Sequence, residues 1–289
     1  MKSKFSGGVL SLCTLWLFAF GYSSASAQWA NAIPIKPGLP TLWLIGDSTM
    51  RNGQDTGGNG QWGWGNPIAS YFDQTRINVQ NRAMGGTSSR TYMNNGLWDK
   101  VMAEIKPSDY LIMQFGANDG GALDDPQRAR GTIPGNGEET REIDNPITKK
   151  HEVVHTYGWY LRKYVADARS KGVVHIVICS PIPRNAWTDG KMNRNTRYTS
   201  AAMDAAKEAG VDFINLNELA ATRFDAEGQQ KVTDTYYPEK EVVHTDWAGA
   251  VLNADCIATA LKALDQSDLK TYLLPNPPTD LKNPTGKPR

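Results

Sequence analysis

Short apolar runs alternate with amphipathic stretches along most of the chain. Positions 42–46 are wholly apolar and end abruptly at Gly46-Asp47-Ser48, which predicts a buried strand. Further strands are predicted over 77–82, 110–115, 173–179 and 211–216, the one at 110–115 of nearly continuous apolar character, as strands covered on both faces are. Helices are predicted over 65–72, 97–105, 151–170, 197–209, 217–223 and 247–264. The long one at 151–170 repeats Val154, Tyr157, Leu161, Tyr164, Val165 and Ala168 on one face and stops at Gly172. The alternation predicts one α/β domain with a parallel sheet and helices on both faces. Positions 117–145 are Gly-rich, polar and too long for an ordinary connection, the signature of a functional loop.

The ends read differently. Lys2 and Lys4 precede an apolar stretch at 9–20 that closes on Ala25-Ser26-Ala27, the pattern of a cleavable export signal too short to span a membrane. The expected organisation is therefore a signal peptide at 1–27, an extended leader at 28–40, a single folded domain at 41–268 and a Pro-rich, non-globular tail at 269–289. Loss of the signal removes two of the 31 basic residues and none of the 30 acidic ones. A chain so near neutrality lacks the basic bias of a nucleic-acid binder. Cys13 leaves with the signal, and Cys179 and Cys256 are expected to be buried free thiols.

The candidate chemistry starts at Ser48, a hydroxyl where a strand ends, at the sheet rim where open α/β sheets bind ligands. Serine needs an adjacent base and donors aimed at the developing oxyanion. The chain holds four histidines. His151 and His155 are expected on a solvated helix face, and His175 sits inside a strand. His244 lies in a loop just before the last helix, with Glu241 three residues ahead to turn back and fix its tautomer. Two glycine- and asparagine-bearing strand ends supply donor candidates: the backbone N–H of Gly86 and the side-chain amide of Asn118. Each alone is ordinary turn chemistry; four such loops in order are not.

These blocks, Gly46-Asp47-Ser48-Thr49, Gly86, Gly116 to Asp119 with Asn118, and the His244 loop, resemble those of the SGNH (GDSL-type) hydrolases. The stretches 81–92, 132–139 and 180–185 are similar to the rhamnogalacturonan acetylesterases within them. The resemblance covers nearly all of the chain from the first strand to about Leu264. It implies a three-layer α/β/α, flavodoxin-like fold with a five-stranded parallel sheet, no cofactor and no metal. The implied reaction is release of acetate from a polysaccharide, with Ser48 as nucleophile, His244 as base, Glu241 as orienter, and Ser48, Gly86 and Asn118 forming the oxyanion hole.

Two positions depart from the family pattern. Glu241 stands where the family usually has aspartate, leaving Asp246, Asp234 or a backbone carbonyl as alternative orienters, and Ala117 replaces a frequent histidine. An anionic galacturonate backbone calls for cations, so Arg90, Arg184 and Lys191 are candidates, with Trp247, Trp62, Trp64 and Trp187 as candidate sugar-stacking surfaces. The expected partner is an acetylated polysaccharide, with no nucleic acid and no membrane after signal cleavage. The chain is expected to be monomeric and secreted or periplasmic. Acetylxylan, a general short-chain ester and a non-catalytic carbohydrate-binding role remain the competing readings.

Overall fold

The computed structural model describes residues 33–52, 55–264 and 267–286; the expected signal peptide, with Cys13, lies outside them. In chain order the regular elements are β1 (Thr41–Gly46), β2 (Asn78–Asn81), α1 (Ser89–Asn94), α2 (Leu97–Glu104), β3 (Tyr110–Gln114), β4 (Arg141–Asp144) and β5 (His151–Val154). They continue with α3 (Tyr157–Ser170), β6 (His175–Cys179), β7 (Trp187–Thr188), β8 (Lys191–Met192), α4 (Thr196–Ala209), β9 (Asp212–Ile214), α5 (Leu216–Glu227), α6 (Gln229–Tyr236) and α7 (Trp247–Lys262).

The five predicted strands form one parallel sheet in the order β2-β1-β3-β6-β9. Alternate side chains enter opposite cores. Leu42, Leu44, Ile112 and Val177 pack with α5, α6 and α7, whereas Trp43, Ile45, Met113 and Ile178 pack with α2, α3 and α4. This is the three-layer arrangement expected. The sheet order reverses between β1 and β3, and in doubly wound sheets the crevice at that reversal receives the ligand. Register brings Gly46, Gln114, Cys179 and Ile214 level with one another, so the loops that follow leave one edge together. Gly46 is required there: a Cβ would fall 2.4 Å from the Gln114 carbonyl oxygen of the neighbouring strand.

Several local expectations are corrected. The predicted helix at 65–72 is a single 3₁₀ turn, Pro67–Tyr71. The predicted 151–170 helix begins only at Tyr157, where the Thr156 side chain accepts from the Trp159 N–H. Its first residues instead form β5, which pairs antiparallel with β4 and carries the far end of the long loop. The β-branched Val153-Val154 pair suits that ladder better than a helix start. His151 therefore sits on a strand, and His155 stacks on Trp159 with ring centroids 3.7 Å apart.

The tail was expected to be non-globular. Instead, Leu269 is buried in the core, the Leu274 N–H donates to the Tyr71 carbonyl at 2.8 Å, and Leu281 packs against the same cluster. Its apolar residues Leu269, Tyr272, Leu273 and Leu281 join the core cluster that also holds residues of α7 and of the 3₁₀ turn. Cys179 and Cys256 are buried and unbridged, as expected. No helix among the described residues is long and apolar enough to cross a membrane.

Candidate active site

Ser48 follows β1 at the sheet edge and is 5% exposed. Its Oγ lies 2.8 Å from His244 Nε2, across 196 residues of sequence. Behind the imidazole, Glu241 Oε2 approaches Nδ1 at 3.3 Å, an ion-pair approach rather than an aligned hydrogen bond. Serine, histidine and carboxylate are thus brought together in order, the arrangement an activated hydroxyl nucleophile requires.

Glu241 is itself held firmly. Its Oε1 accepts the backbone N–H groups of Val242, Val243 and His244, and its Oε2 accepts Gln61 Nε2 at 2.5 Å. Burial alone would raise its pKa, but the Val243 and His244 amides and the imidazole outweigh that and hold the carboxyl below its usual value. The longer glutamate reaches His244 because these amides fold its chain back on the loop. Asp246 and Asp234 take other positions: Asp246 caps α7 through the Gly249 N–H, and Asp234 is exposed on α6 and accepts from Gln230.

The histidine loop is fixed by neighbours to which sequence reasoning assigned no such role. The Trp62 N–H donates to the Thr245 carbonyl at 2.8 Å and the Thr245 hydroxyl donates back to the Trp62 carbonyl at 3.1 Å. The Asn185 N–H donates to the Val242 carbonyl, tying the loop after β6 to the same segment.

Asp47 joins the nucleophile loop to the loop after β3. It is fully buried, accepting from the Thr49 N–H and hydroxyl through Oδ1 and from the Ala117 N–H through Oδ2 at 3.0 Å. Burial raises its pKa against those three donors. A buried chain continues from it: Gln114 Nε2 donates to the Thr49 hydroxyl, and Trp64 Nε1 donates to Gln114 Oε1. An aspartate before a serine reads as a turn former; only its complete burial shows that it is the strut between two loops.

The donor candidates converge as well. The Met84 N–H pairs with the Gly46 carbonyl, extending β2 alongside β1 and carrying the Gly pair towards Ser48. Gly85 lies against Ser48, a Cβ at that glycine falling 3.7 Å from Ser48 Cβ. Gly86 follows in an exposed position with φ +83°, a conformation that favours glycine. Asn118 donates one amide hydrogen to the Thr87 carbonyl at 2.7 Å, which leaves the second for another acceptor. Next to it, burial and the Asp47 charge push Asp119 up to about 7, against the hydrogen bonds it accepts from Ser89.

The substrate-binding candidates divide. Arg184 is exposed, donates to the Ala117 carbonyl at 3.1 Å and lines a cavity with Gly116 and Ala117, beside the site. Arg90 is not in the cleft: it is completely buried, pairs through both arms with Glu152 at 2.6 and 2.7 Å, and donates to the Leu123 and Gly131 carbonyls. It braces the long loop. Lys191 is exposed on β8, its Nζ 3.9 Å from Asp225.

Trp64 is buried in the network described above, and Trp62 is buried edge-on against Trp247. Neither can stack on a sugar. Trp247 is half-buried at the start of α7 with its Nε1 donating to the Leu281 carbonyl, and half-buried Trp187 donates to Asn185 Oδ1.

Known proteins resemble the chain over about three quarters of its length. A rhamnogalacturonan acetylesterase of Emericella nidulans is 32% identical over 223 residues, 76% of this chain and 84% of that protein. Bacillus subtilis YesY, named a probable rhamnogalacturonan acetylesterase, is 31% identical over 228 residues, 77% of this chain and 93% of its own length. Among solved structures, the YxiM protein of Bacillus subtilis superposes with a TM-score of 0.62 at 23% identity, covering 78% of this chain and 56% of that one, a likeness of fold. The model of the GDSL-like lipase/acylhydrolase family matches residues 44–251, and the chain belongs to that family of carboxylic ester hydrolases.

Proposed function

We propose that this protein is an exported serine esterase that removes acetyl groups from a pectic polysaccharide, rhamnogalacturonan. The observation that carries the reading is the Ser48–His244–Glu241 line, with a 2.8 Å contact at the nucleophile end. Two relatives above 30% identity, named for rhamnogalacturonan acetyl ester hydrolysis, support the substrate. The charged and apolar pattern of residues 1–27 supports export, to the medium or a periplasm.

His244 Nε2 takes the Ser48 proton as Oγ attacks the acetyl carbonyl carbon. The oxyanion is received by the N–H groups of Ser48 and Gly86 and the free amide hydrogen of Asn118. Collapse breaks the bond to the sugar oxygen, which takes the proton from the imidazolium, and Ser48 is left acetylated. Water, losing a proton to His244, attacks that ester. Acetate leaves and Ser48 regains its proton. Glu241 stabilises the imidazolium in both halves.

Acetate release from acetylated rhamnogalacturonan, acetylxylan and p-nitrophenyl acetate tests the substrate. The pectic polymer is expected to have the highest kcat/KM of the three. An equal or higher value on acetylxylan would overturn the pectic assignment.

Glu241→Gln tests the orienter. The amide puts N–H groups against donors already pointing at Glu241 and removes the charge behind the imidazole. A fall in kcat on the order of 10²–10⁴ is expected. An unchanged rate would remove Glu241 from the mechanism.

A further inference from the structure

On the Gly86 side of Ser48 a cavity of about 400 Å³ opens between α1, the 128–130 turn and the β4–β5 hairpin. That volume is within the range of small-ligand sites, roughly 300–1,000 Å³. Arg128, Arg130 and Lys150 all line it. The one carboxylate on its wall, Glu152, is taken up by the two arms of buried Arg90. Asn94 and Asn145, on the same wall, also donate to Glu152. The wall therefore carries uncompensated positive charge.

The two arginines are held there at a cost. Ala129 between them is buried, 1% exposed, with φ +40°, a left-handed conformation costly to a residue with a Cβ. Asp125 imposes the turn: its Oδ1 accepts the Gln127 and Arg128 N–H groups and its carbonyl accepts the Ala129 N–H at 2.9 Å. The consequence is that Arg128 and Arg130 are presented on the same cavity wall. Arg130 Nη1 donates to the Gly86 carbonyl at 2.9 Å, so its guanidinium is anchored one residue from the glycine that lies against Ser48. Burial and the neighbouring Arg128 charge both work against the Arg130 cation, and Asp47, Asp119 and Asp125 act on it through space rather than in an ion pair. Two cations on one cavity wall, with no contacting carboxylate among the described residues, are arranged for an anion that arrives from outside.

We propose that Arg128 and Arg130, with Lys150 at the rim, form a subsite for the carboxylate of a uronic acid residue next to the acetylated sugar. The proposal rests on the glycan-esterase reading and makes it specific: the enzyme recognises an acidic polymer through this pair. Arginine suits the task because its planar fork meets a carboxylate through two parallel hydrogen bonds. The distance is that of adjacent groups, since Gly86 both receives Arg130 and borders the reacting ester.

Calorimetric titration of the intact protein with an unacetylated galacturonate oligosaccharide, and with the same oligosaccharide after reduction of its carboxyls to alcohols, tests the subsite without requiring turnover. The wild type is expected to bind the acid at least about tenfold more tightly, with a preference that weakens as salt is raised. The double variant R128Q/R130Q is expected to bring the two within about twofold, and Arg128→Gln alone, which leaves the Gly86 contact in place, to remove part of the preference. Equal binding of acid and alcohol by wild type would overturn the subsite, as would a preference retained in the double variant. Acetate release is scored separately. Acid-selective binding without acetate release from any acetylated glycan sinks the esterase reading and leaves the subsite standing; acetate release with equal binding does the reverse.

Discussion

Ser48→Ala is expected to lower kcat on p-nitrophenyl acetate by on the order of 10⁴–10⁶, with a thermal midpoint close to that of the wild type. The loss is large because in the proposed mechanism the hydroxyl oxygen is the bond-forming atom. Water attacking directly would still have the oxyanion donors, so a residual rate above the uncatalysed reaction is expected. The fold should survive because the Ser48 hydroxyl's hydrogen bond runs to His244, a loop residue. The strut between the loops is Asp47, which is untouched. Circular dichroism and a thermal melt beside the kinetic assay check both halves. Full activity in a folded Ser48→Ala protein would end the acyl-serine mechanism.

Asn118→Ala is expected to cost on the order of 10²–10³ in kcat with a much smaller change in KM. The donor acts where charge develops, so its removal is felt in the transition state rather than in binding. The side chain also holds Thr87 by the hydrogen bond to its carbonyl, at 2.7 Å, and a purely structural role would appear as a lowered melting temperature. Asn118→Asp separates the two. It keeps the shape, cannot donate and places a negative charge beside the oxyanion, so its kcat should be at least as low as that of the alanine variant. Recovery of activity in Asn118→Asp would show that the amide is a spacer.

The elements legible in the sequence are those whose signal is local. β1, β3 and β6 are continuous apolar runs because helices cover both their faces, and that coverage leaves no alternation to misread. α3, α4 and α7 are long enough to repeat their apolar face several times. α1 has six residues and is defined by the Ser88–Thr91 capping box rather than by periodicity, and it was not anticipated. The β4–β5 hairpin was hidden because Val153-Val154 continues smoothly into the apolar face of α3, and the boundary is set by the Thr156 cap. The tail's proline content suggested an unpacked segment, while Leu269 and Leu281 find the core only after the domain has built a face for them.

For the site, Ser48, His244, Glu241, Gly86 and Asn118 were legible because each sits at the end or start of an element and belongs to a chemically suggestive block. Arg90 shows the limit of that reasoning. An arginine in a loop-forming stretch reads as exposed, and nothing local shows that Glu152, 62 residues away, will draw it into a fully buried pair. Gln61, which braces Glu241, and Arg130, which anchors on Gly86, carry no signal beyond being polar residues in loops.

By itself, then, the sequence determined the sheet-and-helix alternation, the strand that ends at Ser48, and the candidate residues for the proposed acyl transfer. These follow from side-chain period, apolar content and functional-group chemistry, all of which are properties of short segments. The tertiary structure alone decided how residues 196 positions apart meet at 2.8 Å, which carboxylate stands behind the imidazole, and which arginines are struts and which face the cleft. Those outcomes depend on register across the parallel sheet and on which charges find partners in the folded chain, and neither is written in any one stretch of it.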